Sequence, residues 1–215
     1  MKILSVNVGA PREVIHDGKR VMTGIFKSPV SGPVRVGKIN LAGDGQGDLR
    51  VHGGVDKAVY AYPFEHYAYW QRTLHRDALS PGHFGENLTI EGLDEAHCAV
   101  GDRLRIGDAL FAVTQPRVPC FKLGIRFNDM EMVKLFSRSA RTGFYLKVVS
   151  EGAVAAGDSI NVTRNEQGVS VKDLYQAFFS ARTPESNAVL ARALDSPDLS
   201  AEWRKQVAGR LNSAK

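Results

Sequence analysis

The uneven spread of glycine constrains this chain more than any single motif. Of 21 glycines, 19 precede residue 166 and two follow it, and all six histidines and both cysteines also lie in that first part. Glycine weakens helix interiors but suits turns and close backbone crossings. Eight segments there have strand patterning: KILSVNV (2–8), GPVRVGKINL (32–41), AVYAY (58–62), NLTIEGL (87–93), DRLRIG (102–107), ALFAVTQ (109–115), GFYLKVVS (143–150) and GDSINVTR (157–164). Many alternate apolar and polar residues between Gly, Asp or Pro, as half-buried strands do. So many short strands predict a mainly β unit over residues 1–165, a barrel or a sandwich. Two helices are expected to interrupt it, over 63–76 with Pro63 at its first position and over 128–140.

The last fifty residues, 166–215, change period. SVKDLYQAFF (170–179) opens with a capping-box pattern at Ser170 and Asp173, and its apolar positions follow helical spacing. TPESNAVLARAL (183–194) begins with a Thr183 cap and Pro184, and SAEWRKQVAGRL (200–211) begins at Ser200. The prediction is a small three-helix domain. It carries seven basic and six acidic residues, without the one-sided charge of a nucleic-acid module.

Composition narrows the function classes. The chain has 215 residues, 43% hydrophobic and 24% charged, with a net charge of +5. That mild excess suits a small anionic ligand and does not compel nucleic acid. No apolar run approaches membrane-spanning length, and the N-terminus does not read as a signal peptide, so a cytoplasmic protein is expected. The two cysteines, Cys98 and Cys120, make no disulfide framework, and neither CxxC nor HExxH occurs.

Cys120 stands in QPRVPCFKL (115–123). A lone cysteine is most often a small buried hydrophobe, and Cys98 in EAHCAVGD reads that way. Cys120 follows Pro119, which suits a helix start, and has Arg117 and Lys122 nearby. Helix N-termini and cations favour a thiolate, which attacks carbon or binds a soft metal. His52 and His83 are candidate bases for the first chemistry. The glycine-rich segment 43–62 adds Gly53, Gly54 and Lys57, where backbone amides could cradle an anion. HFGENL (83–88) adds Asn87, able to donate and accept, and Lys27 lies among prolines and glycines. Lys27, His52, Lys57, Asn87 and Arg117 are expected to line one pocket with Cys120. His66, His75 and the aromatic run 66–70 read as packing or surface residues.

VHGGVDKAVYAY, HFGENLTIEG and QPRVPCFKL occur in the order of, and resemble, the signature blocks of MOSC-domain proteins. These are relatives of the C-terminal domain of molybdenum cofactor sulfurase. The resemblance covers about residues 1–165, and the tail is similar to the three-helix domain of the bacterial YiiM-type branch. It implies a MOSC-type β-barrel with peripheral helices and a basic cavity for molybdopterin. Cys120 would be the molybdenum ligand and catalytic residue. Lys27, His52, Gly53, Gly54, Lys57, Asn87 and Arg117 would bind the molybdenum cofactor. The implied activity is reduction of N-hydroxylated bases such as 6-N-hydroxylaminopurine. Electrons would come from a separate reductase, because no flavin, haem or iron–sulfur pattern is present.

Two other readings stay open at this level: a non-catalytic carrier of cofactor or sulfur, and a metal-free cysteine hydrolase or transferase. The sequence also leaves open whether the tail docks a partner, builds a homodimer or closes as a lid.

Overall fold

The computed structural model describes residues 1–47 and 53–213. Its strands are β1 (Lys2–Val8), β2 (Arg12–His16), β3 (Lys19–Thr23), β4 (Ser28–Pro29), β5 (Val34–Val36) and β6 (Val59–Pro63). They continue with β7 (Leu88–Glu91), β8 (Arg103–Ile106), β9 (Ala109–Pro116), β10 (Phe144–Ser150), β11 (Gly152–Val154) and β12 (Ile160–Thr163). The helices are α1 (Glu65–Thr73), α2 (Phe121–Phe127), α3 (Glu131–Ser139), α4 (Val171–Phe179), α5 (Pro184–Asp195) and α6 (Ala201–Asn212).

Eight strands form one sheet in the order β12-β8-β9-β10-β6-β7-β1-β4. Every ladder is antiparallel except β6 with β7. Parallel neighbours need a crossover, and the β6–β7 connection carries α1. The expected barrel is corrected to an open sheet. Its curl brings the turn before β12 against the start of β1, but among the described residues only one bridge, Lys2 with Ser159, forms there. The Ile3 amide donates to Asp158 O (2.8 Å), Gly157 N to Ile3 O (2.8 Å) and Ile160 N to Met1 O (3.0 Å). A closed barrel needs a continuous ladder, and β12 spends its ladder on β8 instead.

Three apolar clusters follow from the patterning. The first lies within the sheet and includes Ile3, Val59, Leu104, Phe111, Leu146 and Cys98. Cys98 is the buried filler its neighbours predicted, and burial pushes its thiol pKa up. The second packs the aromatic run against α2 and α3, with Tyr67, Trp70, Phe84, Phe127 and Phe136 buried together. The third is made by α4–α6 around Leu174, Leu190, Trp203 and Val207. Ser170 and Ser200 accept from the amides of Asp173 (3.0 Å) and Trp203 (3.2 Å), and Thr183 forms a full capping box with Ser186.

Pro63 does not start α1. It ends β6 opposite Ile90, and the helix begins two residues later. Pro63 has no amide to give the ladder, and the amide that bonds Ile90 O, at 2.7 Å, belongs to Phe64. The hairpin β2–β3 turns at Asp17-Gly18, with φ of 49° and 72°. Such a turn is a strong hairpin signal, and the strand patterning read from the sequence passes over it.

Candidate active site

Arg117 leaves the end of β9 immediately after Pro116 pairs with Phe144 of β10, and its amide donates to Gly143 O at 3.3 Å. Three residues later Cys120 caps α2 with extended backbone (φ −125°, ψ 174°), and its carbonyl accepts from Leu123 N at 2.9 Å. The end of β9 therefore delivers Arg117, Cys120 and Lys122 to one place. All three line a pocket of about 710 Å³, open solvent at the mouth included, and Lys27, Gly53, Lys57 and Asn87 line it too. Gly54 does not; it caps the 3₁₀ turn Val55–Lys57, and its amide donates to Gln46 Oε1 at 3.1 Å. His52 lies outside the described residues.

The glycines serve chain packing as well as any ligand. A Cβ on Gly47 would stand 2.8 Å from the Cα of Thr23, so the 44–47 segment presses directly on the strand end that leads to Lys27. Gly53 has φ +111°, and a Cβ there would strike the Gln46 amide at 1.9 Å. Gln46 meanwhile straps the segment by donating to Ile39 O at 2.7 Å.

The pocket has two unlike cationic walls. On one, Lys27 is ion-paired with Asp44, and their side chains are 8% and 3% exposed. Burial pulls the Lys27 pKa down and the Asp44 charge opposes that pull. Asp44 also accepts from Asn87 Nδ2 (2.8 Å) and from the Gly9 amide (3.0 Å). Asn87 spends its other amide proton on Asn7 O (3.3 Å), and its Oδ1 accepts from Tyr60 N (3.0 Å). Its side chain therefore holds the wall together and has little left for a ligand.

On the other wall Arg117 is buried, 3.4 Å from the Tyr60 hydroxyl. Its guanidinium lies over the rings of Tyr60 (4.8 Å) and Phe136 (5.2 Å). Lys122 is also buried and lines the same pocket. Among the described residues neither side chain pairs with a carboxylate. A buried guanidinium stays charged, so this wall offers positive charge to whatever enters. Tyr60 and Tyr145, their rings tilted by 39° with centroids 5.2 Å apart, complete the lining.

His83 is not part of the pocket lining. Its ring packs edge-on to Phe127 at 4.7 Å, Nε2 is buried without a partner, and burial together with Arg126 and Arg76 lowers its pKa to about 4. His66 bonds Glu95 at 2.7 Å. Sequence reasoning missed Asp44 and Tyr60. The acid in GDGQGD could have been sought as the partner of a buried lysine, but nothing in the sequence assigned it to Lys27. Sequence reasoning also missed Glu86, which is fully buried and accepts from Gly82 N (2.7 Å), Phe84 N (3.1 Å), Thr89 Oγ1 (2.9 Å) and the Tyr67 hydroxyl. Glu86 holds the loop that presents Asn87.

Residues 48–161 match the MOSC domain model. The chain is similar to the protein YflK of Bacillus subtilis, 41% identical over 94% of this chain and 90% of that one. The crystal structure of YiiM from Geobacillus stearothermophilus superposes with a TM-score of 0.81 at 33% identity, covering 98% of each chain. A reductase of Gibberella moniliformis is 32% identical over 67% of this chain but only 26% of its own length. The fold match extends over the helical tail as well as the sheet, and on this evidence the chain belongs to the MOSC-domain family.

Proposed function

We propose that the pocket binds molybdenum cofactor and that the protein reduces N-hydroxylated bases and related N-oxygenated compounds. The observation that carries this reading is one thiol, Cys120, sharing a pocket with Arg117 and Lys122, neither of which pairs with a carboxylate among the described residues. Among the described residues no three His, Cys, Asp or Glu side chains gather as a metal site. A metal seated by Cys120 would therefore take its other ligands from non-protein groups, as a pterin dithiolene supplies. The donor set fits: a soft sulfur for the metal and Arg117, Lys122 and Lys57 for an anionic phosphate.

When bound, the cofactor would supply two-electron oxygen-atom chemistry. The reaction balances as R–NHOH plus two electrons and two protons giving R–NH₂ and water. The electrons come from an external reductase. The chain's own contribution is to hold and orient. Cys120 Sγ is the metal ligand, and Arg117 and Lys122 keep the anionic end in register. Tyr60 and Tyr145 give the planar base an aromatic wall. Lys27, Asp44 and Asn87 act as a neutral buttress and not as a phosphate clamp. In this reading residues 1–165 form the cofactor-holding unit and residues 166–215 a small helical unit.

The test is molybdenum and pterin analysis of protein made in a cofactor-competent host, with turnover of 6-N-hydroxylaminopurine under a supplied reductant. Stoichiometric metal with turnover supports the reading. Metal with no turnover supports a cofactor carrier. Turnover in protein from a cofactor-deficient host overturns it in favour of cysteine chemistry.

A further inference from the structure

The C-terminal helices reach a pocket-lining residue through the side chain of Glu202. Glu202, in the first turn of α6, is ion-paired with Lys57, across 145 positions of sequence. The contact is anchored on both sides. The Ala201 amide donates to Asp56 Oδ2 at 3.1 Å, and the Asp56 carbonyl accepts from Thr114 Oγ1 at 2.7 Å. Two consecutive residues of α6 thus grip two consecutive residues of the turn Val55–Lys57. The helices are themselves fixed to the sheet, because Asp198 bridges Arg103 of β8 (2.7 Å) and Lys147 of β10 (2.5 Å).

The two partners differ in setting. The Lys57 side chain is 14% exposed and lines the pocket, whereas Glu202 is 50% exposed and does not line it. A carboxylate held against a pocket lysine from behind lowers the positive potential that the lysine offers an incoming anion. The half-exposed partner is the one that water can take over when the pair is loosened.

We propose that Glu202 is an internal counter-ion to Lys57, so that anion binding in the pocket competes with the seating of α6. This rests on the pocket being an anion site, as the cofactor reading requires, but not on which anion fills it. The consequence is reciprocal: an anion that draws Lys57 forward loosens α6, and anything that fixes Glu202 elsewhere tightens anion binding.

The experiment measures inorganic pyrophosphate affinity by calorimetry at low salt for the wild-type chain, Glu202→Gln and Glu166→Gln. Glu166 is an exposed acid outside the helices, so its variant carries the same change in net charge. Glu202→Gln should bind about threefold more tightly, Glu166→Gln should match the wild type, and the gain should fade in high salt. In the wild type, pyrophosphate should speed hydrogen exchange across residues 201–212, and in Glu202→Gln it should not. A purely structural role for Glu202 would weaken binding, so the direction of the change discriminates. Unchanged or weaker binding in Glu202→Gln, or no pyrophosphate binding in any of the three, overturns the proposal. The cofactor reading is judged separately by molybdenum and pterin content of the same preparations. Cofactor-free protein that still shows the threefold gain would sink that reading and leave this one standing.

Discussion

Lys27 and Arg117 face the same pocket and are about equally buried, yet they are opposites. Lys27 is neutralised by Asp44, which is itself held by Asn87 and Gly9. Arg117 rests on two aromatic rings and meets no carboxylate among the described residues. A buried charge with its counter-ion in place is a structural unit, and removing half of it is costly. A buried charge left on aromatic faces keeps its potential for a ligand. The contrast teaches that counting cations in a pocket overstates its binding capacity, since charge already matched inside the protein is not available.

The first experiment asks whether the thiol between these walls is needed at all. Cys120→Ser replaces soft sulfur with a hard hydroxyl. Turnover of a hydroxylaminopurine should fall at least about a hundredfold, to background. The melting temperature should stay within a few degrees, because the residue is half-exposed and fills no core cavity. An active, metal-replete variant would break the assignment.

The contrast itself is tested next. Lys27→Met leaves Asp44 buried without its cation and should cost about 3–5 kcal/mol in denaturant unfolding. Adding Asp44→Asn should recover a large part, with a coupling above about 1 kcal/mol in the double-mutant cycle. Arg117→Met should do the reverse. It should cost about 1 kcal/mol of stability but reduce pterin retention roughly tenfold, as loss of a charge-assisted contact does. Equal stability losses for Lys27→Met and Arg117→Met would erase the distinction between the walls.

The smallest effect lies outside the pocket. The unfolded His83 ring protonates near pH 6.5, and the folded ring only near 4. Between those values the unfolded state holds the extra proton, so stability falls as pH drops from 6.5 to 4. The loss should be about 1 kcal/mol, discounted for the solvent that reaches this half-buried ring. It should vanish in His83→Gln, read by urea unfolding at pH 4 and pH 7.

Much of this fold was legible because its signals are local. The strand of residues 2–8, the helix caps at Ser170, Thr183 and Ser200, and the buried Cys98 all follow from periodicity and near neighbours. The hairpin at Asp17-Gly18 was equally local and was overlooked. The barrel was misjudged for a different reason: whether a sheet closes depends on how far β12 runs along β1, and no pattern within either strand encodes that. The site divides in the same way. Glycine, proline and cation content drew attention to Lys27, Lys57, Arg117 and Cys120, and the structure brings those four together. What each one does was hidden, because Asp44 stands 17 positions from Lys27 and Glu202 stands 145 from Lys57. Charge pairing at such separations is a property of tertiary packing.

The seam between β1 and the turn before β12 has a mechanical consequence. Most neighbouring strands share ladders of three or more residue pairs, whereas this joint rests on three main-chain bonds, two of which make its single bridge. A joint held by so few main-chain bonds opens at low cost, so this is a fault line along which the molecule would breathe. Parting it exposes Ile3 and Ile160 to water while β8, β9 and β10 remain paired, which is a sub-global opening and not unfolding. Amides of residues 3 and 157–160 should therefore exchange with solvent well before those of β9. Slow exchange at both places would mean that the joint is as firm as the ladder.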